Sequence, residues 1–161
     1  MPAPKQKSIV LLHGVFDGAF LKELKNRNVK EVYLLEGRPS LRAAKKFSKV
    51  LLKNKIKPIL IADNMAGFLF FRGLIKEVWI SYQEADDQGT TSPIGGLILG
   101  VLGQEHKIPV NLYPSAENEK LLGQQKEIFY FDGKRVAPKN ITGYVPLTER
   151  LPKKYITKIY E

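Results

Sequence analysis

The feature that most constrains this chain is the alternation of short apolar runs with helix-period segments. "SIVLLHG" (8–14), "VYLLE" (32–36), "KPILIAD" (57–63), "EVWIS" (77–81) and "IPVNLYP" (108–114) are brief and almost continuously apolar. A strand with one wet face alternates apolar and polar residues, whereas a strand covered on both faces does not. Between the runs, "DGAFLKELKNRN" (17–28) sets Phe20, Leu21 and Leu24 on one helical face. "PSLRAAKKFSKVLLKN" (39–54) does the same with Leu41, Ala44, Phe47, Leu51 and Leu52. "NMAGFLFFRG" (64–73) predicts a short, largely buried helix, and "PIGGLILGVLGQEH" (93–106) an apolar helix rich in small residues. Strand and helix in strict alternation mean βαβ units. The expected class is α/β, a three-layer, mostly parallel sheet with helices on both faces and right-handed crossovers.

At 161 residues, 43% of them apolar, the chain is expected to form one domain with a substantial core. No run approaches the roughly 20 apolar residues that span a bilayer. "MPAPKQKS" has no signal-like apolar stretch, so a cytoplasmic location without membrane contact is expected. The absence of Cys removes disulfides, thiolate nucleophiles and Cys-ligated zinc together. His13 and His106 lie far apart, so neither a metal site nor a cofactor is predicted. The net charge of +10 comes from lysines spread along helix faces and the tail, with no long basic block and no RNP-type aromatic motif. That spread favours a solvated lysine surface, as in a heat-adapted protein. An acidic partner, nucleic acid included, is the weaker reading.

After Pro114 the pattern changes. "SAENEKLLGQQ" reads as a short helix or loop, "EIFYFDGKRVAP" as a strand with a turn at Asp132-Gly133, and 152–160 as helical. Residues 115–161 are expected to pack back on the sheet as a C-terminal extension, and 1–7 to be flexible.

Ligands of parallel sheets bind at the carboxyl ends of the strands. Four junctions therefore matter: His13-Gly14-Val15-Phe16-Asp17, Glu36-Gly37-Arg38-Pro39, Asp63-Asn64-Met65-Ala66, and the stretch read as a loop that ends at Ser92-Pro93. Asp17, Asn64 and Ser92 suit N-caps, and Pro39 and Pro93 suit first helical positions. Helix N-termini converging on one edge form an anion site, most naturally for phosphate. Arg38 adds a bidentate fork. The candidate ligand-binding residues are His13, Gly14, Arg38, Asp63, Asn64, Met65, Thr90, Thr91 and Ser92. Plainer roles stand beside these: capping alone, a packed His13, and an Arg38 ion pair with Glu36 or Asp63. Glu84, Asp86 and Asp87 in "SYQEADDQGTTSPIGG" are either acid–base groups or a solvated loop.

The segment from "VYLLEGRPS" to "IKEVWI" resembles the core of two related groups. These are the regulatory subunits of translation initiation factor 2B and the aldose–ketose isomerases acting on methylthioribose 1-phosphate and ribose 1,5-bisphosphate. Glu36-Gly37-Arg38-Pro39 resembles their E-x-R-P motif and Asp63-Asn64-Met65-Ala66 their D-[SN]-M-A motif. "VLLHG" stands where they have T-H-C or T-H-G, and "IGGLILGVLGQEHKIPVNLYPS" resembles their next helix and strand. "GYVPLTERLPKKYITKIYE" resembles the closing N-P-x-F-D-x-T-P-x-x-x-I-T segment, with Glu149 for the Asp. The implied fold is their Rossmann-like C-terminal domain, without the helical N-terminal domain.

Departures from the family pattern bear on function. Gly14 stands where the isomerases have Cys, and Gln83 where their G-A-D-R segment has Asp, that segment reading Ser81-Tyr82-Gln83-Glu84. N-K-I-G is shortened to Pro93-Ile94-Gly95, and its Lys is gone. Aldose–ketose conversion needs a proton donor and acceptor within reach of the sugar. Glycine offers neither, and a glutamine amide is no base near neutral pH. The resemblance therefore implies a non-catalytic module that binds a phosphorylated sugar or nucleotide, or that serves oligomer assembly as a homodimer, with "FLFF" as core or interface. The alternative is a sugar-phosphate isomerase using Glu84, Asp86 or Asp87 as acid or base with His13 assisting.

Overall fold

A computed structural model describes residues 7–161, so residues 1–6 of the expected flexible N-terminus lie outside the described residues. The chain forms β1 (Ile9–His13), α1 (Gly18–Asn26), β2 (Glu31–Leu35), α2 (Ser48–Lys53), β3 (Lys57–Ile61), α3 (Ala66–Phe71) and β4 (Ile75–Tyr82) in turn. It continues through β5 (Glu84–Asp86), β6 (Gly89–Pro93), α4 (Gly96–His106), β7 (Val110–Pro114), α5 (Lys126–Phe129), β8 (Tyr130–Phe131), β9 (Lys134–Arg135), β10 (Thr148–Pro152) and β11 (Lys158–Ile159).

The central sheet has six strands in the order β11-β7-β4-β1-β2-β3, every neighbouring pair parallel. Side chains of a strand point alternately to its two faces. Val10 and Leu12 accordingly meet Phe20, Leu24, Phe47 and Leu51 of α1, α2 and the turn before α2. Ile9 and Leu11 face the other way, toward Leu69, Phe70 and Leu99 of α3 and α4. This is the expected three-layer α/β architecture.

Three local expectations are overturned. Residues 39–54 do not form one regular helix: the chain turns through Leu41, which has φ 57°, and makes a π-helical turn at Ala43–Phe47 before α2. A π turn inserts one residue and shifts the face that follows. Ala43 is buried instead of Ala44, and Leu52 is 61% exposed. The acidic stretch is not a loop, because β5 and β6 pair antiparallel and β10 pairs with β6 on its other side. Residues 152–160 are not a helix. They contain the end of β10, a 3-10 turn at Lys153–Tyr155, and β11 at the edge of the main sheet. β-branched Ile156, Thr157 and Ile159 favour extended chain. Ile159 and Tyr160 pack on opposite faces of the sheet, a spacing that only a strand allows.

Candidate functional site

Reading outward from β1, one arm of the sheet runs β2-β3 and the other β4-β7-β11. The strand order therefore reverses between β1 and β4, and the crevice outside their carboxyl ends is where this topology accommodates a ligand. His13 ends β1 in register with Ile80 of β4, which sets Gly14 beside Ser81. Gly14 has φ 107°, and a Cβ built on it would lie only 1.9 Å from Ser81 Oγ. The serine hydroxyl thus occupies the space a side chain at position 14 would need.

A small cavity of about 30 Å³ opens here, bounded by His13, Gly14, Ser81, Arg38, Arg42 and Glu119 among others. That is room for about one water. His13 Nε2 lies 2.9 Å from the Ile94 carbonyl, which can only accept, so this nitrogen carries the proton. Burial lowers the His13 pKa despite the nearby Asp63 carboxylate, and the ring is neutral at pH 7. Its Nδ1 is then an acceptor. Nδ1 and Ser81 Oγ are both buried without a hydrogen-bond partner among the described residues.

The segment after β7 roofs the cavity. Arg42 Nη1 donates to Glu117 Oε2 at 2.9 Å and Lys46 Nζ to Glu117 Oε1 at 2.9 Å, while Arg42 Nε forms an ion pair with Glu119 Oε1 at 3.1 Å. Gln83 holds the same segment through its amide: Nε2 donates to the Glu119 carbonyl, and Oε1 accepts the Glu119 N–H. Burial opposes ionisation of Glu117, but Lys46 and Arg42 outweigh it and hold its carboxyl below the usual range. Burial pushes the Glu119 carboxyl up, against the attraction of Arg42.

The predicted site residues separate into groups. His13, Gly14 and Arg38 line the cavity. Arg38 forms no ion pair with Glu36 or Asp63; its guanidinium donates to the Tyr130 carbonyl at 3.1 Å and lies 5.0 Å from the Phe131 ring. Asp63 accepts the backbone N–H groups of Gly37 and Arg38 at 2.9 and 2.7 Å, clipping the turn that presents Arg38. Asn64 and Met65 are exposed, and Asn64 caps no helix with its side chain.

Thr90, Thr91 and Ser92 belong to β6. Thr90 and Ser92 are fully buried and hydrogen-bond each other, so Ser92 is not an N-cap. Thr91 meets Arg150 on the outer side. Pro39 lies in the turn before the π-helical residues and Pro93 ends β6, so neither begins a helix. Two helix starts are already taken: Asp17 caps α1, and Glu149 Oε1 accepts from the Gly95 and Leu97 N–H groups at the start of α4. The positive side chains at this edge are the guanidinium groups of Arg38 and Arg42 and the ammonium group of Lys46.

The three carboxylates of the acidic stretch are not part of the cavity wall. Asp86 accepts the N–H groups of Gln88 and Gly89 and pairs with Arg150 at 2.7 Å, and these hydrogen bonds hold its carboxyl below the usual range. Asp87 is exposed, and exposed Glu84 opens β5. Sequence reasoning missed Arg42, Ser81, Glu117 and Glu119. Arg42, four residues beyond Arg38, carried a weak signal; the glutamates, in a polar stretch beyond the last predicted strand, carried none.

Across His13 lies a second, mostly apolar groove of about 390 Å³ between α3 and α4, walled by Leu35, Ala66, Ile98 and Leu99. In "FLFF", Leu69 and Phe70 are core, whereas Phe68 and Phe71 are 59% and 82% exposed; Ile98 and Val101 of α4 are exposed too. Among the described residues no helix is long and apolar enough to cross a membrane, and no three His, Cys, Asp or Glu side chains gather to hold a metal.

These features define the class: a Rossmann-like parallel α/β domain with a polar cavity at the point where strand order reverses. The model of the Initiation factor 2 subunit family matches residues 18–160, and the chain belongs to that family. It is 28% identical over 159 residues to methylthioribose-1-phosphate isomerase of Thermus thermophilus, covering 91% of this chain and 48% of that protein. With the enzyme of the same name from Desulfitobacterium hafniense it shares 34% over 143 residues, 80% of this chain and 41% of that one. The chain thus spans about half the length of the curated relatives it matches.

Among solved structures, translation initiation factor eIF-2B subunit delta from A. fulgidus superposes with TM-score 0.82 at 18% identity, over 96% of this chain and 52% of that one. The 5-methylthioribose 1-phosphate isomerase of Pyrococcus horikoshii gives TM-score 0.82 at 24% identity, over 95% and 49%. The same fold occurs in a tetrameric eIF2B-beta2-delta2 complex from C. thermophilum, with TM-score 0.59 at 14% identity over 96% and 50%.

Proposed function

We propose that this chain binds a phosphorylated sugar or a nucleotide at the carboxyl edge of β1 and β4, without isomerase chemistry, and pairs with a second copy of itself through α3 and α4. The observation that carries the binding reading is the placement of Arg38 and Arg42 at the mouth of the cavity where strand order reverses. Guanidinium forks match phosphate oxygens bidentately. Pairing is supported by the four exposed apolar side chains Phe68, Phe71, Ile98 and Val101 on α3 and α4, two helices that pack against each other.

Absence of turnover follows from the state of the polar groups. Gln83 spends its amide on the Glu119 backbone, and Gly14 has no side chain to offer. Isothermal titration with ribose 1,5-bisphosphate, methylthioribose 1-phosphate and AMP tests binding. The same sugars followed by NMR test turnover. Binding without conversion supports the reading, and conversion of either sugar overturns its non-catalytic part.

One observation favours a different acid–base group if conversion is found. Glu119 borders the cavity, and burial raises its carboxyl above the ordinary range, the direction that favours a general acid. The enzymatic alternative then runs through Glu119, not through Glu84, Asp86 or Asp87, and Glu119→Gln abolishes the turnover.

A further inference from the structure

The polar atoms at the floor of the cavity differ from those at its mouth. At the mouth are the cations Arg38 and Arg42, already turned toward anions or carbonyls. Below them are two buried neutral groups, Ser81 and His13, with 0% and 2% exposure. Each keeps one polar atom, Oγ and Nδ1, without a partner. Leaving a buried polar atom unpaired costs more than a hydrogen bond gains. Such atoms are scarce in folded proteins, and each calls for a reason such as a function or a bound water.

The two atoms are complementary in kind. With its proton on Nε2 against the Ile94 carbonyl, His13 presents a lone pair at Nδ1. The Ser81 hydroxyl can donate. One donor and one acceptor suit a group that both accepts and donates, which a hydroxyl does and a phosphate dianion does not. A fully ionised phosphoryl oxygen has no hydrogen to give to Nδ1. Its place is with the guanidinium groups at the mouth.

Position supports the same division. Ser81 lies on β4 and Gly14 just after β1, at the reversal of strand order, and the hydroxyl has that space because residue 14 lacks a side chain. A Cβ there would overlap Ser81 Oγ, so the two residues act as a pair: the glycine gives room and the serine brings the polar atom into it.

We infer that Ser81 Oγ and His13 Nδ1 form a hydroxyl-recognition subsite, with Ser81 the specificity-determining contact, for a phosphorylated polyol or sugar whose phosphate lies at Arg38 and Arg42. This rests on the phosphosugar reading above and narrows it. A sugar phosphate with a free hydroxyl near its phosphate is preferred to an anion of equal charge that has none.

The test compares wild type with Ser81→Ala, using ribose 1,5-bisphosphate and inorganic pyrophosphate as probes in isothermal titration, with thermal melting alongside. Ser81→Ala is expected to melt no lower than wild type, because the hydroxyl it removes has no partner in the unliganded fold. It is expected to bind ribose 1,5-bisphosphate about 3–10-fold more weakly, the range of one neutral hydrogen bond. Pyrophosphate affinity should be unchanged. If wild type binds neither probe, the reading of the edge as an anion site fails and this subsite with it. If wild type binds the sugar and Ser81→Ala binds it equally well, the subsite alone fails, and the cavity holds an ordered water only. A lower melting temperature, or equal losses for both probes, also overturns the assignment, because the hydroxyl then supports the fold and not the ligand.

Discussion

Gly14 and Ser81 show how one position can depend on another far along the chain. Gly14→Ala must bear both a left-handed φ and an overlap with Ser81, each worth roughly 1–3 kcal/mol. A loss of about 2–6 kcal/mol is expected in urea unfolding. Adding Ser81→Gly should restore only the steric part, so the double variant should lose less than Gly14→Ala and still fall short of wild type. His13 gives a pH signature. Its pKa in the fold lies below the usual 6.5, so below that value the unfolded chain binds a proton the folded chain refuses. Stability is therefore expected to fall as pH drops from about 6.5 toward the folded pKa. In His13→Gln this component should be missing from the pH dependence of unfolding. The histidine and its neutrality need β4 and the Ile94 carbonyl around it, which is why the sequence offered it only as packed or functional.

At the scale of elements, the segment from Ser115 to Leu147 is the part of the chain whose pattern said least. Its turn at Asp132-Gly133 was legible, because both residues adopt the positive φ that favours Asp-Gly in hairpins. Its path over the site was not, since that depends on Arg42, Lys46 and Gln83, which are remote in sequence. The ion pairs are partly exposed, so each contributes at most about 1 kcal/mol and the roof is held by several weak fasteners. A ligand phosphate reaching Arg42 must displace Glu117 or Glu119. The double variant Glu117→Gln/Glu119→Gln is expected to raise affinity for a phosphorylated sugar several-fold. It should also speed amide hydrogen exchange across 116–146 while leaving exchange in β1 and β4 unchanged. Slower exchange in that segment, or weaker binding, would count against the roof as a competitor of the ligand.

At the scale of the whole molecule, α3 and α4 cover the sheet with one face and expose apolar residues on the other. The sequence left "FLFF" open between core and interface, and the tertiary structure divides it: Leu69 and Phe70 face the sheet while Phe68 and Phe71 face outward. Phe71, 82% exposed, carries no visible structural duty. Phe71→Glu combined with Ile98→Glu is expected to leave the melting temperature within a few degrees and to shift the mass in light scattering from two chains to one. A wild type that is already monomeric at tens of micromolar would overturn the pairing proposal.

The sequence by itself determined the class of fold, since continuous apolar runs alternating with helical periods have few solutions other than a parallel sheet covered on both faces. It also pointed to the carboxyl edge of the strands, where His13, Gly14 and Arg38 line the cavity. Only the tertiary structure decided what the acidic stretch and the tail become. β5, β6 and β10 form a sheet whose partners lie far apart in the chain, and that pairing takes Thr90 and Ser92 into the interior. Local pattern records which residues seek burial and how often they recur. Which buried atoms then lack a partner, as Ser81 Oγ does, depends on neighbours brought together only by folding.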